Sequence, residues 1–334
     1  MQPFTYVRAR TVDEAVAAAG SDTRFVAGGT TLVDLMRLEV MTPRTIVDIS
    51  GLPLDAIEEG PTGLRVGALA RNSAVARDPR VRARYPVLAQ ALESGASPQL
   101  RNMATVGGNL LQRTRCSYFR DGVSACNKRA PGTGCAAFDG YHRMHAVLGG
   151  SEHCIAAHPS DMAVALLALD AIVHVRGPLA TRTVPIADLF LLPKDTPHVE
   201  HTIGANELIV HVDLPATPFA AHSRYVKVRD RSEFAFALAS AAVAFELRSG
   251  RVGEARIALG GVGTRPWRAR EAEAVLAGQP PSPELVKKAS AAALEGARPR
   301  KDNAFKVELA RRTVARAFEE LLVAQDAKDG GGAR

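Results

Sequence analysis

Apolar positions along the chain recur with two periods, and the switches between them mark out short helices and strands. Thr11-Val-Asp-Glu14 reads as a capping box that opens a helix through Ala19, with Thr11 as N-cap and Glu14 reaching back. Gly20 ends it. Phe25-Val26 then reads as a strand running into Gly28-Gly29-Thr30-Thr31, after which Leu32, Leu35 and Met36 fall on one helical face. Strands are expected at 45–49 and 64–69 and a helix at 86–93, and residues 104–110 repeat two glycines after an apolar pair.

From Gln112 to about Cys154 periodicity fades into glycine, arginine and polar residues, the pattern of a long structured loop, and such loops are usually functional or held by something other than a core. Ser160 then caps a helix from Asp161 to about Leu169, and strands are expected at 172–176 and 207–214. A composition shift near 215–221 suggests a domain boundary. Beyond it lie expected strands at 223–228, 234–247 and 254–259, then helices near 268–277, 283–294 and 306–324. The last carries Val307, Ala310, Val314, Phe318 and Leu321 on one stripe. Strands followed by helices argue for an α+β C-terminal domain. The tail 327–334, with three consecutive glycines, is expected to be disordered.

Composition narrows the function classes. The 334 residues are 46% hydrophobic and 23% charged, and no apolar stretch approaches the roughly 20 residues that span a bilayer. No export signal is expected at the N-terminus. The net charge of +7 would admit a nucleic-acid partner, but aromatics make up only 5%, too few for base-stacking platforms, and scattered basic residues read as a solvated surface. One basic cluster, Arg113, Arg115, Arg120, Lys128 and Arg129, lies among the cysteines.

All four cysteines, Cys116, Cys126, Cys135 and Cys154, fall in that loop, spaced C-x9-C-x8-C-x18-C. They read as one set. The paired C-x2-C hooks of zinc ribbons are missing, so an iron-sulfur cluster, a zinc site and two disulfides all stay open on spacing. A 4Fe-4S core with four thiolates carries a net charge of about −2, for which Arg115, Arg120, Lys128 and Arg129 are candidate counter-charges. The two glycine turns suit a phosphate, because their backbone N–H groups can converge on an anion and Thr30, Thr31 and Thr105 add donors. Neither turn matches a Rossmann or P-loop fingerprint.

Together the turns carry a resemblance. AGGTTL at 27–32 resembles the flavin pyrophosphate loop, and ATVGGNL at 104–110 the second flavin loop, of the FAD subunits of molybdenum hydroxylases, a family that includes xanthine and carbon monoxide dehydrogenases; HPSDMAVALLALDA at 158–171 is similar to a third segment of it. The insert from Arg113 resembles that of the FAD subunit of periplasmic aldehyde oxidoreductase, in which four cysteines at this spacing hold one 4Fe-4S cluster. The resemblance implies an α+β FAD-binding domain of the vanillyl-alcohol oxidase/carbon monoxide dehydrogenase flavoprotein type over 1–218, with subdomains of about 1–55 and 56–218 and an insert loop at 112–156. A C-terminal flavoprotein domain would follow over 219–326.

Carried over residue by residue, Phe25, Val26, Ala27, Gly28, Gly29, Thr30, Thr31 and Leu32 would wrap the pyrophosphate of FAD. Thr105, Gly108 and Asn109 would line the second loop. Asp161 would accept from ribityl or ribose hydroxyls, and Ile209 and Lys227 would lie near the isoalloxazine. The resemblance further implies electron transfer within a heterotrimer: a large molybdenum-cofactor subunit oxidises an aldehyde, 2Fe-2S clusters on a small subunit carry electrons to FAD on this chain, and an external acceptor takes them. No general acid or base is expected here, nor activity on aldehyde by this chain alone. A periplasmic location by co-export with a signal-bearing partner is implied. Other molybdenum hydroxylases of xanthine dehydrogenase or hydroxybenzoyl-CoA reductase type, a stand-alone flavin oxidoreductase and a zinc-stabilised basic binding module are the rival readings.

Overall fold

A computed structural model describes the backbone of residues 1–331 and the side chains of residues 1–324. Its strands form three sheets. The first is parallel and three-stranded, with Thr45–Asp48 between Thr5–Arg8 and Thr23–Val26. Parallel pairing demands crossovers, and the helices Val12–Ala17 and Leu32–Arg37 supply them. The capping box at Val12–Ala17 is shifted by one residue from the expected form: the Thr11 hydroxyl accepts from the Glu14 amide, but the Glu14 carboxylate takes the amide of Arg10. The helix also stops at Ala17, short of Ala19.

The second sheet is antiparallel, in the order Ile57–Glu59, Gly63–Gly67, Leu208–Pro215, Ile172–Arg176 and Thr181–Pro185. The third is also antiparallel, in the order Trp267–Arg268, Arg251–Gly260, Ala239–Arg248 and Ser223–Val228. Between these two sheets lies the helix Asp161–Ala168. Its residues from Met162 to Ala168 are all buried, as an all-apolar helix must be. One continuous core joins it to Val66, Val173 and Val212 of the second sheet and to Ala242 and Ala258 of the third. The far face of the third sheet is covered by Arg270–Leu276, Pro283–Ala292 and Phe305–Gly331, where Ala310, Val314, Phe318 and Leu321 form the expected apolar stripe against Val243 and Phe245.

Two expectations change. The strand expected from Phe234 begins at Ala239; Phe234 adopts a left-handed φ of 51°, which a regular strand does not hold for a bulky side chain. Residues 229–238 instead leave the sheet and line a cavity. The helix Phe305–Gly331 runs through 327–331, the start of the expected disordered tail, since no glycine or proline interrupts residues 305–329; positions 332–334 lie outside the described residues. Among the described residues, no helix is long and apolar enough to cross a membrane.

Candidate functional site

The glycine loops meet face to face. The strand Thr23–Val26 delivers the first loop, where Gly29 takes a left-handed φ of 71° and Gly28 presses so close to the C-terminal end of the helix Pro98–Met103 that an added Cβ would lie 1.9 Å from the Met103 carbonyl oxygen. In the second loop the Thr105 hydroxyl caps the short helix Val106–Leu110 by accepting from the Gly108 amide at 3.3 Å. Asn109 Oδ1 accepts from Gln112 at 2.8 Å and from the Ser160 hydroxyl at 2.6 Å, tying this loop to the start of the buried helix.

On either side of this junction lies a cavity. One, of about 540 Å³, is walled by Phe25 through Leu32, Thr105, Gly108 and Ile209, with Arg24, His201 and Glu207 on its far side. The other, of about 860 Å³, is walled by Asn109, Asp161, Lys227 and the 230–236 segment. Thr30, Thr31 and Gly108 line both, so they form a waist between two chambers. Such a pair of chambers joined by converging amides can hold an extended dinucleotide with its anionic middle at the waist.

The structure brings Asp161 and Lys227 together. Lys227, 2% exposed in its side chain, places Nζ 2.7 Å from Asp161 Oδ2 and also donates to the Ser94 carbonyl at 3.0 Å. Tyr225 donates its hydroxyl to the other Asp161 oxygen at 2.6 Å, and burial followed by that carboxylate pushes the Tyr225 phenol well above its ordinary range. Ile209 is not with them: it is buried against the first glycine loop, in the other chamber. Ile209 and Lys227 were expected to lie near one ring system; Ile209 lines the smaller chamber and Lys227 the larger, with Thr30, Thr31 and Gly108 shared between the two.

The basic cluster is also redistributed. Arg115 donates to Thr31 Oγ1 at 3.4 Å and lies over the Phe236 ring at 5.4 Å, so its charge stands at the waist. Burial, then Arg120, pulls it down to about 10. Arg120 forms a two-pronged pair with Asp34 at 2.8 and 3.1 Å, Arg129 donates to the carbonyls of Tyr118, Phe119 and Ser124, and Lys128 shares Glu200 with Arg113. Of the four expected counter-charges only Lys128 lines the small space among the cysteines.

That space is walled by Cys116, Cys126, Cys135 and Cys154 together, all unpaired thiols. Burial pushes Cys116 up to about 12 and raises Cys135 and Cys154. The opposing pull comes mainly from backbone amides, those of Phe119 and Tyr118 on Cys116 and of Ala137, Ile155 and Phe138 on Cys135, while Lys128 and the Ala156 amide act on Cys154. No three of these sulfurs lie within 4.8 Å of one another among the described residues, whereas a single ion binding sulfur at about 2.3 Å would hold them no more than about 4.6 Å apart. The donor set is soft and spread wider than one zinc ion spans, which fits a multi-iron core.

The insert is anchored from outside. His145 Nε2 meets Cys116 Sγ at 3.1 Å, and the His145 carbonyl accepts from Asn303 at 3.3 Å and from the fully buried Lys306 at 3.1 Å. Lys306 also donates to the Gly261 carbonyl at 2.7 Å, and His142 pairs with Asp302 at 2.6 Å. Tyr225, Lys306 and Asn303 were not foreseen; nothing local marks them, since each works through a contact far along the chain.

Fold and site define a flavoprotein, and comparison with known proteins agrees. Residues 2–217 match the FAD binding domain in molybdopterin dehydrogenase, and residues 224–321 match the CO dehydrogenase flavoprotein C-terminal domain. The chain belongs to this family of FAD-binding oxidoreductase subunits, the molybdenum hydroxylase flavoproteins. Over 324 residues it is 48% identical to the aldehyde oxidoreductase FAD-binding subunit PaoB of Escherichia coli K12, spanning 96% of this chain and 98% of that one. It is 27% identical over 325 residues to the glyceraldehyde dehydrogenase medium chain of Sulfolobus acidocaldarius, spanning 95% and 98%. Among solved structures, carbon monoxide dehydrogenase from Hydrogenophaga pseudoflava superposes with a TM-score of 0.76 at 28% identity, covering 96% of this chain and 98% of that chain.

Proposed function

We propose that this chain is the electron-transfer subunit, carrying FAD and one 4Fe-4S cluster, of a heterotrimeric molybdenum-dependent aldehyde oxidoreductase. The observation that carries the reading is the four-cysteine pocket beside a two-chambered glycine-loop site, in a chain 48% identical to an aldehyde oxidoreductase FAD-binding subunit. When bound, FAD supplies the exchange of electrons with a one- or two-electron partner.

The chain's own residues bind and orient. Amides of the 27–32 and 105–109 loops take the pyrophosphate, with Arg115 as the cation nearest the waist. Asp161, its carboxylate aimed by Tyr225 and Lys227, accepts ligand hydroxyls, and Lys227 keeps positive charge in the larger chamber. Ile209 packs against the opposite end. Cys116, Cys126, Cys135 and Cys154 ligate the cluster, and the amides on their sulfurs stabilise its negative charge. Substrate oxidation belongs to a large molybdenum subunit, and a small 2Fe-2S subunit feeds electrons to this chain. The complex works in the periplasm, exported with a partner that carries the signal.

Coexpression with both partners, purification without oxygen, and metal and flavin analysis test the proposal. The expected product is a three-chain complex with one FAD and four irons on this chain, and Cys126→Ser should lose most of that iron while keeping flavin. Zinc in place of iron, or a chain that oxidises aldehydes without partners, would overturn it. Cofactor-loaded complex confined to the cytoplasm would overturn the location.

A further inference from the structure

Away from both chambers, the five-stranded sheet carries two histidines and a carboxylate that the flavin reading leaves unused. His211 and Asp213 stand two apart on the strand Leu208–Pro215, so both side chains leave the face opposite Val212 and Leu214, which enter the core. On the neighbouring strand His174 pairs directly with His211 in the antiparallel register, and the two rings stack with centroids 4.0 Å apart. His174 Nε2 lies 2.9 Å from Asp213 Oδ2, and His211 Nε2 lies 3.8 Å from Asp213 Oδ1. One nitrogen from each ring and a carboxylate oxygen all fall within 4.8 Å of one another.

His211 Nε2 is shielded from solvent and has no hydrogen-bond partner among the described residues; 3.8 Å to the carboxylate is too long for one. Arg65, on the third strand across, donates from Nε to Asp213 Oδ1 at 3.1 Å. That bond orients the carboxylate and leaves Oδ2 toward the imidazoles.

We propose that His174, His211 and Asp213 bind one divalent transition-metal ion of the zinc type, in a site separate from the flavin chambers and the cysteines. Two imidazoles and one carboxylate are a borderline nitrogen and oxygen set, suited to zinc, with a fourth position for water. An i, i+2 pair on one strand and a directly opposed residue on the next place three donors on one rigid patch. Arg65 acts as the partner that holds the ligating carboxylate, and its charge moderates the affinity by offsetting the only anionic ligand. The ion would clamp the central strand Leu208–Pro215, which carries Ile209 near its start, to its neighbour Ile172–Arg176.

The test uses the tag-free full chain with its cysteine site loaded with iron. Zinc is titrated calorimetrically, and X-ray absorption at the zinc edge reads its neighbours. One saturable zinc per chain is expected, with only nitrogen and oxygen neighbours at about 2.0–2.2 Å. His211→Ala and Asp213→Asn should each weaken binding at least about tenfold without changing flavin content. Should His211→Ala fail to fold, His174→Phe keeps the ring stack while removing a ligand, and must lose zinc equally. Sulfur among the neighbours, unchanged affinity in the variants, or no saturable uptake by the unaltered chain overturns the site.

Discussion

At Gly28 a single hydrogen atom decides whether two loops 75 residues apart can touch. Gly28→Ala drives a methyl into the Met103 carbonyl, so the loops must separate; a stability loss of about 1–3 kcal/mol and at least tenfold weaker FAD retention are expected, read by thermal unfolding and equilibrium dialysis. The neighbouring Gly29 is constrained differently, by its positive φ, so a side chain there strains the backbone before it meets any ligand. Lys227→Met leaves the Asp161 carboxylate buried with only Tyr225, an uncompensated charge that should cost about 3–5 kcal/mol. Adding Asp161→Asn should restore part of that in denaturant titrations; no recovery would show that the lysine acts through packing alone. Both glycines could be picked out in the sequence because their backbone need is local. Tyr225 could not, because its hydroxyl reaches an aspartate 64 positions away.

Elements with local signals were readable and those fixed by distant contacts were not. The Ser160 cap, the strand Ile172–Arg176 and the strand Ser223–Val228 fall where the pattern put them. The strand Thr5–Arg8, largely exposed, gives no alternation, and the short helices Pro79–Arg84 and Pro98–Met103 are too brief to show a period. The cysteine insert could be picked out as a unit, but its ties could not. Glu200, from a loop distant in sequence, holds both Arg113 and Lys128. Burial raises the Glu200 carboxyl, but Lys128 and then Arg113 outweigh it and keep it below its ordinary 4.5. An unfolded chain therefore takes up this proton first as pH falls. The stabilisation, present above about pH 4.5, drains away through the lower folded value. Glu200→Gln should cost about 3 kcal/mol near neutrality and flatten the fall of the thermal midpoint below pH 4.5; an unchanged acid limb would show that the pair contributes nothing.

Across the whole molecule, the α+β class and the two glycine loops were foreseeable, but the spatial plan was not. Nothing in the pattern says that the buried helix Asp161–Ala168 lies between two sheets, or that the loops form a waist with a chamber on each side. In that plan Ile209 lines one chamber and Lys227 the other, a placement that no single motif expresses. Motifs report contact with one ligand, and a dinucleotide is long enough for its contacts to be far apart.

The lysine at position 306 sets a timetable. It and Asn303 fasten the segment that positions the cysteine pocket, yet a ribosome finishes Cys116 almost two hundred codons before it reaches either anchor. The thiols therefore spend most of the translation that follows them without the contacts that gather them. Gathering the four cysteines into one pocket becomes a task for the completed polypeptide, and a nascent chain halted ahead of its final helix holds only a loose string of thiols.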